Sequence, residues 1–456
     1  MRRGLRSRVS AKTFTRQVRR LLKGAALAAA ITVSVLTATA AIACRHALYR
    51  RLFLYPAQAR AWAEVRQQRH PVTLDDGWNE YRGVLHAHSE LSHDSKVPFP
   101  EIAAALRASG SDFIFMSDHP DADKADYAKG WKGLHDGVLF VRGYEMPSGF
   151  MPWGLPDDTV LSAAEPPEAL AARIRARGGV LFFAHPEEPR LWNLPELTGM
   201  EIYNFHSDLK AADRRMLIQD LLFSFHAYPE QVLRFYCRRP TPFLQRWDEL
   251  NRARRVTGIA GNDAHQNVGV LGFYTAEGRL RLTDTGHPDK TFRTIHPHLL
   301  GRLLLSACCG PLTPGRLLFR IDLDPYARTA RFVGTHLLAS ELSEPALLDA
   351  LRCGRAFVGF DLLADSRGFV CLAQGSKRQA VMGESIPLEP GLTLKAAAPC
   401  ACRLTLLRDG HPVVQRESGE LAWGIDRPGN YRVEAELKIL DEWVPWIYAN
   451  PITVTP

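Results

Sequence analysis

The feature that most restricts the fold of this sequence is a series of short apolar runs, each followed by histidine or an acidic residue. These polar residues lie in the segments 86–88, 117–119, 143–145, 184–186, 205–206 and 261–265. Helical patterns separate some of the runs, at 98–109 and 166–177. Strands that alternate with helices predict βα units around a parallel sheet or barrel. Because barrels carry their functional loops at the carboxyl edge, we expect these side chains to converge.

His86 and His88 follow the first run, at 81–85. In an extended chain, residues i and i+2 project from the same face, so both imidazoles can reach one cation. A single pair of this kind is a weak signal, because histidine also serves in structural hydrogen bonds. The hypothesis of a metal site depends on what the later strands supply.

Nine residues near these strand ends are candidate metal ligands. They are His86, His88, Asp94, His119, Glu145, His185, His206, Asp263 and His265. Taken singly, each has a structural explanation: a capped turn, a hydrogen-bonded core histidine or a solvated carboxylate. As a set, imidazoles and carboxylates without thiolate suit Zn, Mn or Fe. The set exceeds the need of one ion, so it predicts two or three divalent cations.

The order and spacing of these residues resemble the polymerase and histidinol phosphatase (PHP) family of metal-dependent phosphoesterases. The matching motifs are His-Ala-His-Ser at 86–89, Ser-Asp-His at 117–119, Gly-Tyr-Glu at 143–145, Ala-His-Pro at 184–186, Glu-Ile-Tyr-Asn at 201–204 and Gly-Asn-Asp-Ala-His at 261–265. The segments 428–434 and 445–452 are similar to the β-domain of the carbaryl-hydrolase-like branch. The resemblance implies a distorted (β/α)7 PHP barrel followed by a C-terminal antiparallel β-sandwich.

The same resemblance implies a distribution of ligands over three metals. His86, His88, Glu145 and Asp263 would hold the first; Glu145 would bridge to a second, which His185 also binds; Asp94, His119 and His265 would hold the third. Two positions stay open. His93 could replace Asp94, and either His206 or Asn204 would complete the second site.

Water shared by two such cations is acidified toward hydroxide, which attacks phosphorus or a carbonyl carbon. The sequence therefore predicts a metal-dependent hydrolase, first a phosphoesterase, with a carbamate or carboxylic ester hydrolase as the alternative in the same fold. A third reading is a non-catalytic surface-binding protein. Asp118 could orient His119 or carry a proton. Arg142 and Arg190 could bind an anionic substrate, although each is also explained as a solvated side chain.

The charge of the chain is concentrated at its N-terminus. Residues 1–51 hold twelve Lys and Arg and no Asp or Glu, which leaves 45 basic against 49 acidic residues for 52–456. A broad nucleic-acid surface on the body is therefore not expected. The uncharged run 24–44 is about long enough to span a bilayer. It predicts a retained membrane anchor or a cleaved export signal, and both place the body outside the cytoplasm, periplasmic or extracellular.

The pattern divides the chain into five parts. They are a basic tail (1–23), a transmembrane or signal segment (24–44), a linker (45–79), a PHP metallohydrolase domain (80–365) and a β-sandwich domain (366–456). A long helical insert is expected at about 208–254, whereas 267–340 is β-rich without a clear place in the barrel. The eight cysteines include no CxxC pair, so their pairing is left open.

Overall fold

The computed structural model describes residues 42–120 and 129–456, together with scattered positions between 16 and 39. Most of the predicted tail and part of the predicted 24–44 segment lie outside these residues. Within the described part of the chain, no helix is long and apolar enough to cross a membrane. The anchor and the export signal therefore stay predictions.

The chain consists of two compact units. The first comprises residues 1–59 and 212–235, and the second comprises residues 60–211 and 236–456. The helices are α1 (Arg45–Tyr49), α2 (Tyr55–Gln67), α3 (Phe99–Ser109), α4 (Pro167–Ala176), α5 (Phe205–Lys210), α6 (Arg214–Phe223), α7 (Pro229–Phe235), α8 (Thr241–Ala253), α9 (Leu299–Cys309), α10 (Tyr326–Phe332) and α11 (Glu344–Cys353). A π-helix, Arg50–Leu54, joins α1 to α2.

The strands before residue 360 are β1 (Asn79–Ala87), β2 (Phe113–Phe115), β3 (Gly133–His135), β4 (Val138–Val141), β5 (Phe150–Trp153), β6 (Val180–Phe183), β7 (Gly199–Asn204), β8 (Thr257–Ala264), β9 (Gly269–Tyr274), β10 (Leu280–Asp284), β11 (Thr291–Ile295), β12 (Leu317–Asp322), β13 (Gly334–Ala339) and β14 (Ala356–Gly359). The C-terminal strands are β15 (Val370–Gln374), β16 (Gln379–Val381), β17 (Ser385–Pro387), β18 (Thr393–Ala397), β19 (Arg403–Arg408), β20 (His411–Arg416), β21 (Glu420–Gly424), β22 (Gly429–Ile439), β23 (Glu442–Ala449) and β24 (Ile452–Thr455).

The first unit is held together by a buried ion pair. Both carboxylate oxygens of Asp220, in α6, lie 3.0 Å from Nε of Arg50. The hydroxyl of Tyr55 donates to the same carboxylate at 3.0 Å. Burial and the nearby Asp220 raise the pKa of Tyr55, so the phenol stays protonated and keeps donating. The predicted linker is thus helical over much of 45–67.

Pairing in the second unit runs around a ring of strands. Parallel pairs join β4 to β2, β2 to β1, β1 to β8, β8 to β7 and β7 to β6. Strand β5 then pairs antiparallel with β6, and a bridge between Gly143 and Trp153 links it back to the segment after β4. A Cβ on Gly143 would lie 2.1 Å from the Trp153 ring. Glycine therefore allows the close approach that closes the ring.

Alternate residues of the ring strands pack into two separate cores. Leu85, Phe115, Val141 and Phe182 belong to one core, which draws on β1, β2, β4, β5, β6 and β8. Residues that alternate with these in β1, β2 and β4 face a second core, formed with α3. Since side chains alternate along a strand, and since so many strands contribute to the first core, that core fills the ring.

The expected alternation of strands and helices is only partly regular. Helices follow β1 and β5, but the described segment between β6 and β7 has only turns. Helices α5 to α8 all lie between β7 and β8, which matches the long helical insert expected at 208–254. The structure is thus a mixed α/β ring with insertions rather than a regular repeat of βα units.

The β-rich segment that the sequence left unplaced is an insert after β8. Its four strands form an antiparallel sheet in the order β11-β10-β9-β12. One side of helix α9, through Leu305 and Cys309, packs on Tyr274, Leu280 and Leu318 of this sheet.

The C-terminal strands form two sheets without helices among them, as expected for a β-sandwich. One sheet has the order β16-β15-β18-β21. The strands of the other continue the large sheet of the ring, because Phe357 in β14 pairs with Ala449 in β23. The predicted domain boundary at residue 366 falls between β14 and β15, and this sheet runs across it.

A buried charged network fastens β1, β13 and the segment after β14. Nδ1 of His336 lies 2.6 Å from Glu80, and its Nε2 lies 3.1 Å from Asp361. Arg82 also pairs with Asp361. Burial lowers the pKa of His336, but Asp361 and Glu80 outweigh burial and raise it to about 9. The imidazolium therefore contributes to stability at neutral pH.

We expect His336→Gln to cost far more stability near neutral pH than in alkaline solution. The folded pKa of His336, about 9, exceeds its ordinary value of 6.5, a shift that corresponds to about 3 kcal/mol. This stabilisation is complete below about pH 6.5 and is lost as the pH rises through about 9. Thermal unfolding of wild type and variant at both ends of this range measures the difference. An equal loss at both ends would contradict the charged network.

Candidate metal centre

The candidate ligands converge at one edge of the ring, where the parallel strands end. His86 is the eighth of the nine residues of β1. Asp263 is the last but one residue of β8, and His265 follows the end of that strand. Three of the ligands have left-handed backbone: His86 (φ 69°), His185 (φ 50°) and Asp263 (φ 51°). This region is unfavourable for residues with a side chain. Such strain is typical of functional sites, where the surroundings impose the conformation.

The first group of side chains contains His86, Glu145, His185 and Asp263, whose ligand atoms all lie within 4.8 Å of one another. Nε2 of His86 is 3.1 Å from Glu145 Oε2 and 3.1 Å from Asp263 Oδ1. Nε2 of His185 is 3.1 Å from Glu145 Oε1. The two oxygens of Glu145 thus face different imidazoles, an arrangement that allows this carboxylate to bridge two cations.

The second group contains His88, Asp94, His119 and His265, again within 4.8 Å of one another. Asp94 Oδ2 lies 3.1 Å from Nε2 of His265 and 3.4 Å from Nε2 of His119. Nε2 of His88 lies 3.4 Å from Asp263 Oδ1 and so connects this group to the first. The structure therefore brings together eight of the nine predicted ligands in two adjoining groups.

His206 is the ninth predicted ligand, and it lies at the same centre. Its ligand atoms fall within 4.8 Å of those of Asp263 and His265. The resemblance instead implied that His206 or Asn204 joins Glu145 and His185. The side chain of Asn204 accepts from Ser207 N and donates to Glu201, so its amide caps α5.

His93 and Asp94 are oriented differently in the structure. Asp94 faces two imidazoles of the second group, as described above. His93 is exposed, and its ring lies 5.0 Å from that of His119. The geometry therefore places Asp94 in the cluster and His93 beside it.

All five histidines of the two groups present the same nitrogen to the centre. Each Nε2 lies within 3.1–3.4 Å of at least one carboxylate oxygen, in His86, His88, His119, His185 and His265. Each Nδ1 has its hydrogen-bond partner on the outer side: Glu201 (2.5 Å), Ser92 (3.0 Å), the Glu145 carbonyl (3.3 Å), Glu187 (3.2 Å) and the Asp263 carbonyl (2.9 Å), respectively. Nδ1 of His265 lies in addition 3.3 Å from Asp263 Oδ1. A hydrogen at Nδ1 leaves the Nε2 lone pair facing inward.

Inward lone pairs and carboxylate oxygens repel one another unless positive charge lies between them. Nε2 of His88, Oδ1 of Asp263 and Oδ1 of Asp94 are buried and have no hydrogen-bond partner among the described residues. Such unsatisfied groups are costly in a protein interior. The donor set, its burial and these atoms without partners fit divalent cations bound between the side chains.

The carboxylates of the cluster are ionised. Burial raises the pKa of Glu145, but His86 and His185 outweigh it and hold the pKa well below the ordinary range. Burial is likewise outweighed at Asp263, where His86 and His265 depress the pKa. Both side chains are therefore available as anionic ligands at neutral pH.

The imidazoles differ in protonation. Burial, reinforced by His265, lowers the pKa of His88 to about 3, and burial lowers the pKa of His206 to about 4. These rings are neutral and can donate a lone pair. At His86 burial also lowers the pKa, but Asp263 and its neighbours raise it well above the ordinary value. A proton therefore occupies the position between His86 and the carboxylates unless a cation displaces it, so metal and protons compete.

Glu201 holds two of the candidate ligands in position, and it was not among the residues singled out from the sequence. It is fully buried and accepts from His86 Nδ1 at 2.5 Å and from the backbone N–H of His185 at 2.9 Å. A Cβ on Gly261 would lie 1.9 Å from Glu201 Oε1, so glycine makes room for this carboxylate. Glu201 is the first residue of the motif Glu-Ile-Tyr-Asn. Residue type alone does not distinguish a carboxylate that binds metal from one that positions a metal-binding histidine.

Asp118 supports the turn that follows the first two histidines. Its carboxylate accepts from Ser89 N at 2.5 Å and from Ser89 Oγ at 3.0 Å, and burial raises its pKa to about 6. The ring of His119 is oriented through the Glu145 carbonyl, as described above. These contacts fit a positioning role for Asp118 through Ser89.

The two predicted substrate-binding arginines contact other parts of the protein. Arg142 donates to the Gly130 carbonyl at 2.5 Å and to Asp157 at 3.2 Å. Arg190 donates to the Ala184 carbonyl at 2.9 Å, just before His185, and pairs with Glu188 at 3.0 Å. Arg190 thus braces the end of β6, and the catalytic role of Arg142 stays a prediction.

The eight cysteines are all free thiols in the structure. None joins the His, Asp and Glu groups found among the described residues. The prediction of a centre built from nitrogen and oxygen ligands agrees with this geometry.

No protein-family model matches this chain, and no curated protein matches it. Among solved structures, it is similar to a two-domain protein from Bacteroides vulgatus described as containing a predicted PHP-like metal-dependent phosphoesterase. The chains are 14% identical, the match covers 84% of this chain and 99% of the other, and the TM-score is 0.33. A likeness this remote carries no argument about fold or function.

We expect Glu201→Gln to weaken metal binding by about 10- to 100-fold while the protein stays folded, because an amide is a poorer acceptor for His86 Nδ1. Competition titration with a chromophoric Zn²⁺ chelator measures the affinity. Glu188→Gln is the matched control, since Glu188 is exposed and pairs with Arg190. Equal affinity in wild type and the Glu201 variant would show that this contact does not position the ligand.

The left-handed backbone of His185 yields a second prediction. His185→Gly and His185→Ala both remove the imidazole, but only glycine adopts this conformation without strain. We expect the glycine variant to be more stable than the alanine variant by about 1 kcal/mol, although both lose metal. Chemical denaturation of the metal-free variants measures the difference, and a more stable alanine variant would argue against strain at this position.

Proposed function

We propose that this protein is a metal-dependent hydrolase that acts on phosphate esters with two or three divalent cations, Zn, Mn or Fe. The observation that carries the proposal is the common orientation of the five imidazoles, with Nδ1 held on the outer side and Nε2 facing the carboxylates. Metal-binding histidines are held in this way. Histidines with only structural hydrogen bonds are not expected to share one orientation toward a common centre.

The proposed ligands divide as the geometry groups them. His86, Glu145, His185 and Asp263 would hold one or two cations, with Glu145 between them, and His88, Asp94, His119 and His265 would hold another. When bound, such cations acidify water and offset the negative charge that develops on a phosphoryl group. With these cations bound, the ring of strands would be a PHP barrel.

The chain's own residues would supply position and charge. Glu201 and Ser92 fix the tautomers of His86 and His88, so that both lone pairs face the reaction centre. Asp118 holds the Ser89 turn against the second strand of the ring. Because these supports are buried, the ligands need little reorganisation when substrate binds.

The uncharged segment 24–44 adds a proposal about location. A membrane anchor or an export signal would place this hydrolase outside the cytoplasm. Its substrates would then be esters that are exposed at the cell surface or in the periplasm.

The test is hydrolysis by full-length protein purified without chelator. We expect bound metal by elemental analysis and turnover of p-nitrophenyl phosphate or bis-p-nitrophenyl phosphate, which chelation abolishes and added metal restores. His88→Ala and the isosteric Asp263→Asn should abolish turnover in folded protein. His411→Ala, on an exposed strand, is the control and should retain it.

Each other outcome has a definite meaning. Turnover of an aryl carbamate without either phosphate ester would replace the phosphoesterase with the carbamate hydrolase of the same site. Protein that holds little metal and hydrolyses none of these substrates would favour the non-catalytic surface-binding protein. Full activity in the His88 or Asp263 variant would contradict the proposed site.

A further inference from the structure

Helix α9 packs Leu305 and Cys309 on the insert sheet but exposes four leucines on another side. Leu299 is 77% exposed, Leu300 68%, Leu303 60% and Leu304 58%. No residue of this helix is buried within the described structure. Residues three and four apart share one face of a helix, so these leucines form one continuous stripe. A stripe of this kind in water marks an interaction surface.

The stripe continues into neighbouring apolar surface. Phe292 and Ile295, on β11, are 58% and 39% exposed. Between β11 and the helix lies an apolar groove of about 730 Å³, lined by Leu280, Ile295, Leu300, Leu304, Leu305 and Cys308. The docking face, as we call the stripe together with this groove, therefore offers a surface and a recess to an apolar partner.

The charge around the docking face restricts what can cover it. From Lys290 to Ile321 the chain has five Lys and Arg and no Asp or Glu. Arg293 follows Phe292 directly, and Arg302 lies on α9 beside the leucine stripe, where it donates to the Gly278 carbonyl at 3.3 Å. Two copies of this surface would repel each other, whereas an anionic surface would be attracted. Leucine and phenylalanine beside basic residues are the composition of elements that bind bilayer interfaces.

We propose that the β9–β12 insert docks on an anionic lipid bilayer, with the leucines of α9 among the acyl chains and the arginines at the headgroups. This docking is separate from the predicted segment 24–44 and from the proposed chemistry. Hydrogen bonds hold the two ends of the insert together, since Asp324 accepts from the backbone N–H groups of Asn267 and Val268 at 3.2 and 3.0 Å. Asn267 also donates to the Asp94 carbonyl at 3.1 Å. Docking would therefore hold the metal centre close to the bilayer surface.

Hydrogen–deuterium exchange of the full-length chain tests this locally, so that any binding by residues 24–44 is the same in every sample. The protein is incubated with phosphatidylcholine liposomes or with liposomes that also contain phosphatidylglycerol. We expect exchange in residues 291–309 to slow by about tenfold on the anionic liposomes. The neutral liposomes should slow it less.

Variants separate the docking face from apolar surface in general. Leu299→Gln with Leu303→Gln should abolish the slowing, and Lys290→Gln with Arg293→Gln, at two exposed basic residues, should reduce the difference between the two liposomes. Val160→Gln with Leu191→Gln, which alters exposed apolar residues elsewhere, should leave the slowing unchanged.

Three results would overturn the proposal. One is unchanged exchange in residues 291–309 on anionic liposomes. Another is slowing without lipid that grows with protein concentration, which would assign the face to a second copy of the chain. The third is equal loss of slowing in the control variant. None of these readouts depends on hydrolysis, so they leave the proposed function to its own test.

Discussion

The structure depends on a cluster of carboxylate oxygens and imidazole lone pairs that converge out of water. Glu145 and Asp263 are both ionised and buried, and each lies within about 3–4 Å of several Nε2 atoms. Without positive charge between them, such groups repel one another and lack hydrogen-bond donors. Protons on His86 and its neighbours supply that charge in the absence of metal. Divalent cations would supply more of it, at the same positions.

The ring of strands makes this convergence possible. Parallel strands end at one edge, so residues far apart in sequence, such as His86 and Asp263, arrive at the same place. Three of them do so in left-handed backbone, an arrangement that costs stability. The surrounding structure imposes it: Glu201 holds both the ring of His86 and the backbone of His185. The folded protein is thus less stable than it could be, because three side chains are held in a direction that requires left-handed backbone.

Much of this centre could be predicted from the sequence, because strand ends and residue types are visible in one dimension. The predicted ligands all lie in the cluster, and the helical insert after β7 was expected. The role of Glu201 was not visible, because a buried carboxylate that orients a ligand looks like a ligand. Nor was the distinction between Asp94 and His93, which depends on how one turn orients two adjacent side chains.

The features that the sequence left open are those decided by long-range pairing. The position of Arg142 after β4 did not reveal its contacts with Gly130 and Asp157, and its catalytic role stays a prediction. The C-terminal strands form sheets like those of the expected β-sandwich, but the sequence did not show that the pairing of Phe357 with Ala449 joins one of them to the ring sheet. The insert from β9 to β12 had no place in the predicted barrel, since its strands pair only with one another.

The central claim is that the inward Nε2 atoms and the carboxylates share bound cations. X-ray absorption spectroscopy of the metal-loaded protein addresses it most directly. We expect a coordination shell of nitrogen and oxygen at about 2.0–2.2 Å, with imidazole scattering and a metal–metal distance of about 3.5–4 Å. A shell containing sulfur, or metal without imidazole ligands, would contradict the account.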